Sequence, residues 1–273
     1  MADIVSLRPG EPGGILIREM AASGIVRLTL NNPPANALSV ALLGALHAEL
    51  DAIAADETIR VVVIAAHGPL FSAGHDLKEL TARRSDGDGG RAFFVETMQL
   101  CADLMLKIAA LPQPVIAEID GLATAAGCQL VASCDLAICT DSSTFCTPGV
   151  NIGLFCATPA VAVTRAAHRK QAMEMLLTGE TIDASTAKDF GLVNRIVPKQ
   201  YLRQVIDKYA AVIASKSPEA LRIGKAAVNR QAGLCVEEAY RVAVETMADN
   251  MLEADAKEGI GAFLEKRMPV WPS

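Results

Sequence analysis

Two stretches of the sequence combine the end of a strand, a turn of small residues and the start of a helix, an arrangement that can stabilise negative charge. They are "FSAGHDLKEL", residues 71–80, and "DGLATAAGCQLVASCD", residues 120–135. A helix start leaves main-chain N–H groups without intrahelical acceptors, and these groups carry partial positive charge. Two such starts aimed at one point would form an oxyanion hole. Because the same junction recurs throughout α/β proteins, the local pattern alone more often reflects simple topology.

Buried strands that alternate with helices must position these stretches, and the chain shows that pattern up to about Val197. The runs "RVVVIAAHG" and "PVIAEIDG" are continuously apolar, which is typical of strands covered on both faces. Ser39 is predicted to be the N-cap of one helix, and a long helix is predicted over residues 93–111. Residues 83–91 are polar and rich in glycine, which predicts a mobile surface loop. The layout predicts an α/β fold.

The pattern changes to almost continuous helix from Lys199 onward. We therefore expect a core over residues 1–198 that carries the site, and a helical region over residues 199–273. Amphipathic helices in such an appendage often pack against another subunit, so the region is predicted to support oligomerisation.

Composition excludes several classes of function. The formal net charge of -6 and the single Trp argue against a nucleic-acid surface. There is no run of 18 apolar residues to span a membrane, and the first residues lack the apolar core of a signal peptide. The seven cysteines show no CxxC spacing, and the four histidines form no ligand set with them, so reduced thiols and no metal site are expected. These features predict a cytoplasmic protein.

The two stretches, taken together with "NNPPANALS", "TPGVNIGLF" and "LTGETIDASTAKDFGLVNRIVP", resemble the crotonase (enoyl-CoA hydratase/isomerase) superfamily. The resemblance runs in order over nearly the whole chain, and three segments resemble one poorly characterised branch of that superfamily most closely. It implies a spiral of ββα units with a helical C-terminal region that supports a homotrimer or a dimer of trimers. It also implies coenzyme A thioesters as substrates, with no permanently bound cofactor.

The resemblance further assigns roles to residues of the two turns. The thioester oxygen would be held by the main-chain N–H groups of His75 and Ala126. Because main-chain groups form the hole, the alanines at 125 and 126 need not abolish it. Coenzyme A would be lined by Ala126 and by five residues at and just after the first turn: Ala73, His75, Asp76, Leu77 and Lys78.

Both acids that hydratases of this family use are missing. Gln129 stands at the position of the first glutamate and Gly149 at that of the second. An amide exchanges no proton at neutral pH, and glycine has no side chain. The binding half of the site is therefore expected to be present without the usual acid and base.

Other groups could in principle substitute for the two acids. His75 has a suitable pKa, although a surface or capping histidine is the simpler interpretation. Glu118 and Asp120 follow a strand, where Asp120 fits a turn or cap, and Cys128 and Cys146 fit small buried thiols. Thr147 and Asn151 can form hydrogen bonds but cannot act as strong bases, and a water or bicarbonate in the space left by Gly149 is a further option.

The leading hypothesis is an acyl-CoA-binding protein of the crotonase fold, nominally an enoyl-CoA hydratase or isomerase, in which ordinary hydration is weak or absent. One alternative is another acyl-CoA reaction, such as decarboxylation or thioester hydrolysis. A second alternative is a non-catalytic acyl-CoA binder. A serine peptidase of similar spiral fold is disfavoured, because no Ser–His pair falls at matching positions.

Overall fold

The computed structural model describes residues 14–272, so the N-terminal stretch read above for a signal peptide lies mostly outside the described residues. Within this range the strands are β1 (Leu16–Met20), β2 (Ile25–Leu30), β3 (Val61–Ala66), β4 (Leu70–Ser72), β5 (Val115–Ile119), β6 (Leu122–Thr124), β7 (Leu136–Thr140), β8 (Thr144–Cys146), β9 (Ile182–Asp183) and β10 (Arg195–Val197). The helices are α1 (Val40–Ala54), α2 (Leu77–Ala82), α3 (Arg91–Ala110), α4 (Ala126–Ser133), α5 (Ala157–Ala166), α6 (Arg169–Thr178), α7 (Ala184–Asp189), α8 (Leu202–Ala214), α9 (Pro218–Gln231), α10 (Val236–Leu252) and α11 (Ala254–Glu265). Short 3₁₀ helices cover Arg83–Ser85, Pro148–Ile152 and Lys199–Tyr201.

The strands form two sheets. The larger has the order β1-β2-β3-β5-β7-β10, and the smaller has the order β4-β6-β8-β9. In the larger sheet only the β1–β2 pair is antiparallel, and in the smaller sheet only the β8–β9 pair. The apolar runs of the sequence are thus the parallel strands, covered on both faces as predicted.

The chain winds through the sheets as a repeated ββα unit. The strands β3, β5 and β7 of the larger sheet are each followed, after a short turn, by the strands β4, β6 and β8 of the smaller one. Helical structure follows each second strand before the chain returns to the larger sheet. This is the predicted α/β spiral.

The main core fills the space between the sheets and the helices α1, α3 and α4. Side chains with no solvent exposure from these elements include Leu28, Leu46, Phe71, Leu104 and Phe145. Burial of side chains of this size stabilises a fold by roughly 1.5–3 kcal/mol each. The smaller sheet, and with it the site described below, is therefore held on a rigid base.

The predicted N-cap of α1 is confirmed, and the segment before α3 differs from its prediction. The Ser39 side chain accepts a hydrogen bond from the Leu42 N–H at 3.2 Å, as its position before α1 predicts. The loop predicted at residues 83–91 is shorter than expected, because residues 83–85 form a 3₁₀ helix. The Asp88 carboxylate accepts hydrogen bonds from the N–H groups of Gly90 and Ala92, which starts α3 at Arg91.

The C-terminal region does not form one separate layer. Helix α8 packs on the outer face of the larger sheet, where Leu202, Ile206 and Ala210 bury against strand residues such as Val63 and Ile116. Helices α9, α10 and α11 then pack against one another and touch the core mainly through α3. The division at residue 198 stays a prediction, and α8 is physically part of the sheet's covering.

Candidate functional site

Three neighbouring parallel strands place the predicted site residues at one edge of the smaller sheet. Register pairs Leu70 with Leu122, and Thr124 with Cys146, so β4, β6 and β8 end side by side. The turns that follow these ends, at residues 73–76, 125–127 and 147–149, carry the residues singled out from the sequence. In sheets of this kind, ligands bind beyond the carboxyl ends of the strands.

The first turn is built around Gly74. Its φ of +80° is one that glycine adopts without strain, and the Gly74 N–H donates to the Ser72 hydroxyl at 3.2 Å. The Gly74 carbonyl accepts from the Leu38 N–H at 2.7 Å, which fixes the turn to the segment before α1. The Asp76 carboxylate then caps α2 by accepting from the Lys78 N–H at 2.8 Å. The turn is therefore held from both sides.

The second turn contains a strained alanine. Ala125 has φ +50° and ψ −118°, a region that residues with a Cβ rarely adopt. The Ala125 N–H donates to the Cys146 carbonyl at 3.0 Å, which ties this turn to the third. One step further along, a methyl group on Gly127 would lie 2.4 Å from the Ser72 carbonyl oxygen, so α4 starts in direct contact with β4.

The first two turns touch each other at the predicted donors. A methyl group added to Gly74 would lie 3.0 Å from both the Ala126 nitrogen and the Ala125 Cβ. Within the described part of the chain, neither the His75 N–H nor the Ala126 N–H donates to a main-chain or side-chain acceptor. Two free donors on adjoining turns are the arrangement that an oxyanion requires.

The two positions of the missing acids lie on different elements, α4 and the 3₁₀ helix after β8. Gln129 is one helical turn after Ala126 and only 3% exposed. Gly149 is buried in the 3₁₀ helix after β8, and its φ is not positive. A methyl group there would lie 2.9 Å from the Cys156 Sγ and 3.0 Å from the Leu154 carbonyl oxygen. The direction in which a side chain at 149 would extend is therefore occupied by the Cys156 thiol and the Leu154 carbonyl, and a water or bicarbonate near Gly149 stays a prediction.

Buried polar atoms without partners gather in the same turns. In residues 14–272, no hydrogen-bond partner of ordinary geometry reaches either ring nitrogen of His75, the Gln129 Oε1 or the Thr147 Oγ1. Burying such a group unpaired costs about 1–3 kcal/mol. The same holds for Thr97, Gln113 and Gln171 elsewhere in the described residues, so it is the grouping of three such side chains around the two donors that indicates a place for a ligand.

His75 is not the surface or capping histidine that the sequence suggested. Its ring nitrogens are shielded from solvent, and its main chain pairs with that of Leu38 in the segment before α1. Burial lowers the pKa of His75 from its ordinary value, and the nearby main chain of Leu38 opposes the shift only in part. The imidazole is therefore neutral at pH 7.

The other acids considered as substitutes are engaged elsewhere. Glu118 forms an ion pair with Arg27, a side chain that also contacts Asp207 of α8 on the far face of the larger sheet. Asp120 accepts from the Thr140 hydroxyl at 3.2 Å and pairs with Lys199 at 2.8 Å. Neither carboxylate belongs to the turns that hold the two donors.

The cysteines near the site are free and buried. Cys128 has no solvent exposure, and burial, with Cys146 and Cys156 as neighbours, raises its pKa well above the ordinary value. Burial likewise raises the pKa of Cys156, although the Gly149 N–H opposes the shift. Cys128 and Cys156 are therefore thiols at pH 7, not thiolates. Sequence reasoning missed the contact of Cys156 with Gly149, which depends on how residues 150–155 fold back.

The residues expected to line coenzyme A lie on the first turn. Ala73, His75 and Asp76 are partly buried, whereas Leu77 and Lys78 are exposed. The Asp76 side chain is occupied as a helix cap, and Asn151 is hydrogen-bonded to the Gly179 carbonyl at 3.4 Å. Lys78, in the first turn of α2, is exposed and its ammonium group is open to a phosphate.

Two further searches covered the described residues. No group of three or more His, Cys, Asp or Glu side chains there could hold a metal ion. No helix between residues 14 and 272 is both long enough and apolar enough to cross a membrane.

Comparisons with known proteins agree with the geometry. The family model described as enoyl-CoA hydratase/isomerase matches residues 20–273. The rat protein named enoyl-CoA hydratase domain-containing protein 3, mitochondrial, is 47% identical over 249 residues, which are 91% of this chain and 81% of that protein. The human protein of the same name is 45% identical over 265 residues, which are 97% of this chain and 85% of that protein. These relatives confirm the narrower resemblance to that branch.

Solved structures show the same fold. A crystal structure of an enoyl-CoA hydratase from Mycobacterium smegmatis superposes with a TM-score of 0.91 at 48% identity, covering 95% of this chain and all of that one. The crystal structure of human enoyl-CoA hydratase domain-containing protein 3 gives a TM-score of 0.89 at 45% identity, covering 94% of this chain and all of that one. The spiral predicted from the sequence is therefore confirmed.

The comparisons also correct one expectation. The rat, frog and human relatives are named mitochondrial proteins, so the prediction of a cytoplasmic protein was wrong. That prediction rested on the lack of a recognised leader, which says little when similar proteins belong to another compartment. The fold, the two adjoining turns and the matches over nearly all of the chain lead to one assignment: this protein belongs to the enoyl-CoA hydratase/isomerase family.

Proposed function

We propose that this protein binds acyl-CoA thioesters and polarises the thioester carbonyl between the N–H groups of His75 and Ala126. The observation that carries the proposal is the contact between the two turns, where an added methyl on Gly74 would lie 3.0 Å from the Ala126 nitrogen. Both donors are free, and both follow the ends of adjacent parallel strands. A carbonyl oxygen placed between them would receive two hydrogen bonds at once.

Coenzyme A lies along the first turn in this proposal. Ala73 and Asp76 contribute main-chain surface, because the Asp76 carboxylate already caps α2. Leu77 and Lys78 are exposed and contribute side chains. A lysine ammonium is a suitable point charge for a phosphate of the cofactor. Ala126 closes this surface from the side of the second turn.

The chemistry that such a site supports is enolate-forming chemistry. Proton loss or nucleophilic addition beside a thioester carbonyl builds negative charge on its oxygen. Donors that are already aimed at that oxygen stabilise the charge without reorganisation, and each contributes about 3–4 kcal/mol in comparable sites. The rigid strands β4, β6 and β8 supply the alignment.

The proton-transfer half of a hydratase is absent from the expected positions. Gln129 offers an amide and Gly149 offers no side chain, and the thiol of Cys156 stands beside Gly149. General acid and base groups typically contribute 10²–10⁴-fold to rate. Ordinary two-carboxylate hydration of enoyl-CoA is therefore expected to be weak or absent, and the nominal lyase activity with it.

A second candidate function follows from the same observation. A site with both oxyanion donors and no carboxylate at either acid position also suits a protein that binds acyl-CoA without turning it over. Reactions that form an enolate without proton abstraction, such as decarboxylation, and thioester hydrolysis are the remaining alternatives. A panel of crotonyl-, malonyl- and butyryl-CoA distinguishes them, because each reaction releases a different product.

The test of the proposal is calorimetric binding of butyryl-CoA, with turnover of the panel measured in parallel. In the variant Ala126→Pro the ring removes one donor at the first position of α4, where helices accept proline. We expect at least a tenfold loss of affinity for butyryl-CoA, with a thermal melt to show that the variant is folded. Unchanged affinity in a folded variant would show that the thioester binds elsewhere.

We also propose that the protein assembles as a homotrimer or a dimer of trimers through its C-terminal helices. One face of α10 exposes an apolar stripe that no described part of the chain covers, and its members are 52–70% exposed: Val236, Tyr240, Val244, Met247 and Met251. Contiguous apolar surface of this kind marks a protein interface. Light scattering at micromolar concentration should report a trimer or hexamer, and a monomer would contradict the assembly.

A further inference from the structure

Gln129 is a buried residue of α4 whose side-chain oxygen lacks a hydrogen-bond partner in the described part of the chain. The absence of a catalytic glutamate at this position does not explain why a buried amide stands there. Its side chain is 3% exposed, and within residues 14–272 its Oε1 accepts no hydrogen bond. Its own N–H donates to the Ala125 carbonyl at 3.0 Å, so the residue belongs to the first turn of α4. The unpaired atom is an amide oxygen, which can only accept.

The direction of a helical side chain brings this oxygen toward the proposed thioester. In an α-helix every Cα–Cβ bond tilts toward the N-terminus, and long side chains lie back over the preceding turn. Gln129 is three residues after Ala126, the first residue of α4. By this geometry we expect its amide to extend back toward the helix start, where the Ala126 N–H would hold the carbonyl. A group a few bonds from that carbonyl lies within its reach.

The groups nearest to the other acid position, Gly149, offer no competing charge. Beside Gly149 the Cys156 Sγ and the Leu154 carbonyl oxygen fill the space where a side chain would begin. Burial keeps Cys156 and Cys128 protonated, so both thiols are uncharged. The second buried polar atom without a partner here, the Thr147 Oγ1, is also neutral. The groups described around Gly149 are therefore neutral.

We propose that Gln129 is a specificity-determining residue whose amide oxygen accepts a hydrogen bond from an O–H or N–H donor on the acyl group of the bound thioester. This inference rests on the proposed function, because it takes the carbonyl position from the two main-chain donors. An amide oxygen can accept a hydrogen bond from a hydroxyl, but unlike a carboxylate it cannot take or return the proton needed to eliminate that hydroxyl. The site therefore selects acyl groups that carry a donor and leaves them intact.

The size of the selection follows from the unmet hydrogen bond. A ligand with the donor satisfies a buried acceptor, whereas a ligand without it leaves that acceptor unpaired. Sites built to bond a substrate hydroxyl reject the analogue that lacks it, because the polar group of the site is then left without a partner. We expect 3-hydroxybutyryl-CoA to bind at least tenfold more tightly than butyryl-CoA. Because both probes share coenzyme A and the thioester, the ratio isolates the acyl group.

The experiment compares this affinity ratio, by calorimetry, in the wild type, in Gln129→Met and in Gln171→Met. Methionine keeps the length of the side chain and removes the acceptor. Gln171 of α6 is a matched control, because its Oε1 is likewise shielded and without a partner among the described residues, but it lies outside the turns of the site. We expect the ratio to fall to about one in Gln129→Met and to stay unchanged in Gln171→Met.

Two outcomes overturn the inference while leaving the proposed function intact. One is a wild-type ratio near one with tight binding of both probes. The other is a ratio that Gln129→Met does not change in a protein shown by thermal melting to be folded. Failure of the wild type to bind either probe would instead refute the proposed function. Conversion of 3-hydroxybutyryl-CoA to crotonyl-CoA by the wild type would overturn the part of the proposal in which the hydroxyl group of the ligand is bound and not eliminated.

Discussion

The substitution Gly74→Ala probes the contact on which the proposed site depends. The added methyl group would lie 3.0 Å from the Ala126 nitrogen and 3.0 Å from the Ala125 Cβ. Optimal carbon contacts lie at about 3.5–4.0 Å, so the two turns must separate by roughly half an ångström to accept it. The separation moves the Ala126 N–H relative to the His75 N–H.

The expected loss follows from how sharply such sites depend on geometry. Removing one oxyanion donor costs about 10²–10³-fold in rate, and a misplacement of about 1 Å can cost 10²-fold. A shift of half that size should weaken butyryl-CoA binding, and any turnover, by roughly 10-fold. Gly74 also has φ +80°, so the alanine adds left-handed strain of about 1–2 kcal/mol.

The control Gly68→Ala separates strain from displacement. Gly68 has φ +94°, yet a methyl group there would meet no atom within 4 Å. Both variants should melt a few degrees below the wild type, because 1 kcal/mol corresponds to about 2 °C in a chain of this size. Only Gly74→Ala should lose affinity. Equal affinity in the two variants would refute the idea that the adjoining turns form one hole.

Three further predictions concern residues around the same turns. Ala125→Gly should raise the melting temperature by about 2 °C, because the relief of backbone strain at φ +50° exceeds the entropic cost of glycine by roughly 1 kcal/mol. A melting temperature below that of the wild type would contradict this. Restoring the acids with Gln129→Glu and Gly149→Glu should raise the rate of crotonyl-CoA hydration only when Cys156→Gly is added, because a Cβ at 149 would lie 2.9 Å from the Cys156 sulfur. A gain in rate without the third change would contradict this, because it would show that the segment around Cys156 moves to make room. Burial lowers the pKa of His75 in the folded protein, so the unfolded state binds more protons below about pH 6.5. The free energy of unfolding should therefore fall as the pH drops from 7 to 5, and it should fall less in His75→Gln than in the wild type. Equal falls in denaturant titrations would contradict this.

The local chemistry of the turns explains why much of the site could be predicted from the sequence. Gly74 and Gly127 stand where a strand passes into a helix, and each fits because a side chain would collide with a neighbouring main chain. The cap at Asp76 depends only on residues two and three positions further on. Interactions between residues this close in the chain can be predicted from a single sequence. The prediction that the two turns meet came from the family resemblance.

Other features depend on contacts that no short motif encodes. Cys156 comes to lie beside Gly149 because the segment between them folds back, with the Leu154 N–H donating to the Gly149 carbonyl at 2.9 Å. The main chain of His75 pairs with that of Leu38, far away in the chain. Helix α8 was assigned to an appendage because its amphipathic pattern does not say which surface covers it. Tertiary packing decided each of these.

A crystal structure of the protein with a non-hydrolysable acyl-CoA analogue that keeps the carbonyl tests the central claim most directly. The account predicts that the carbonyl oxygen lies about 3 Å from both the His75 nitrogen and the Ala126 nitrogen, within ordinary hydrogen-bond range. An analogue bound with its carbonyl oxygen more than about 4 Å from either nitrogen, or bound away from these turns, would contradict it.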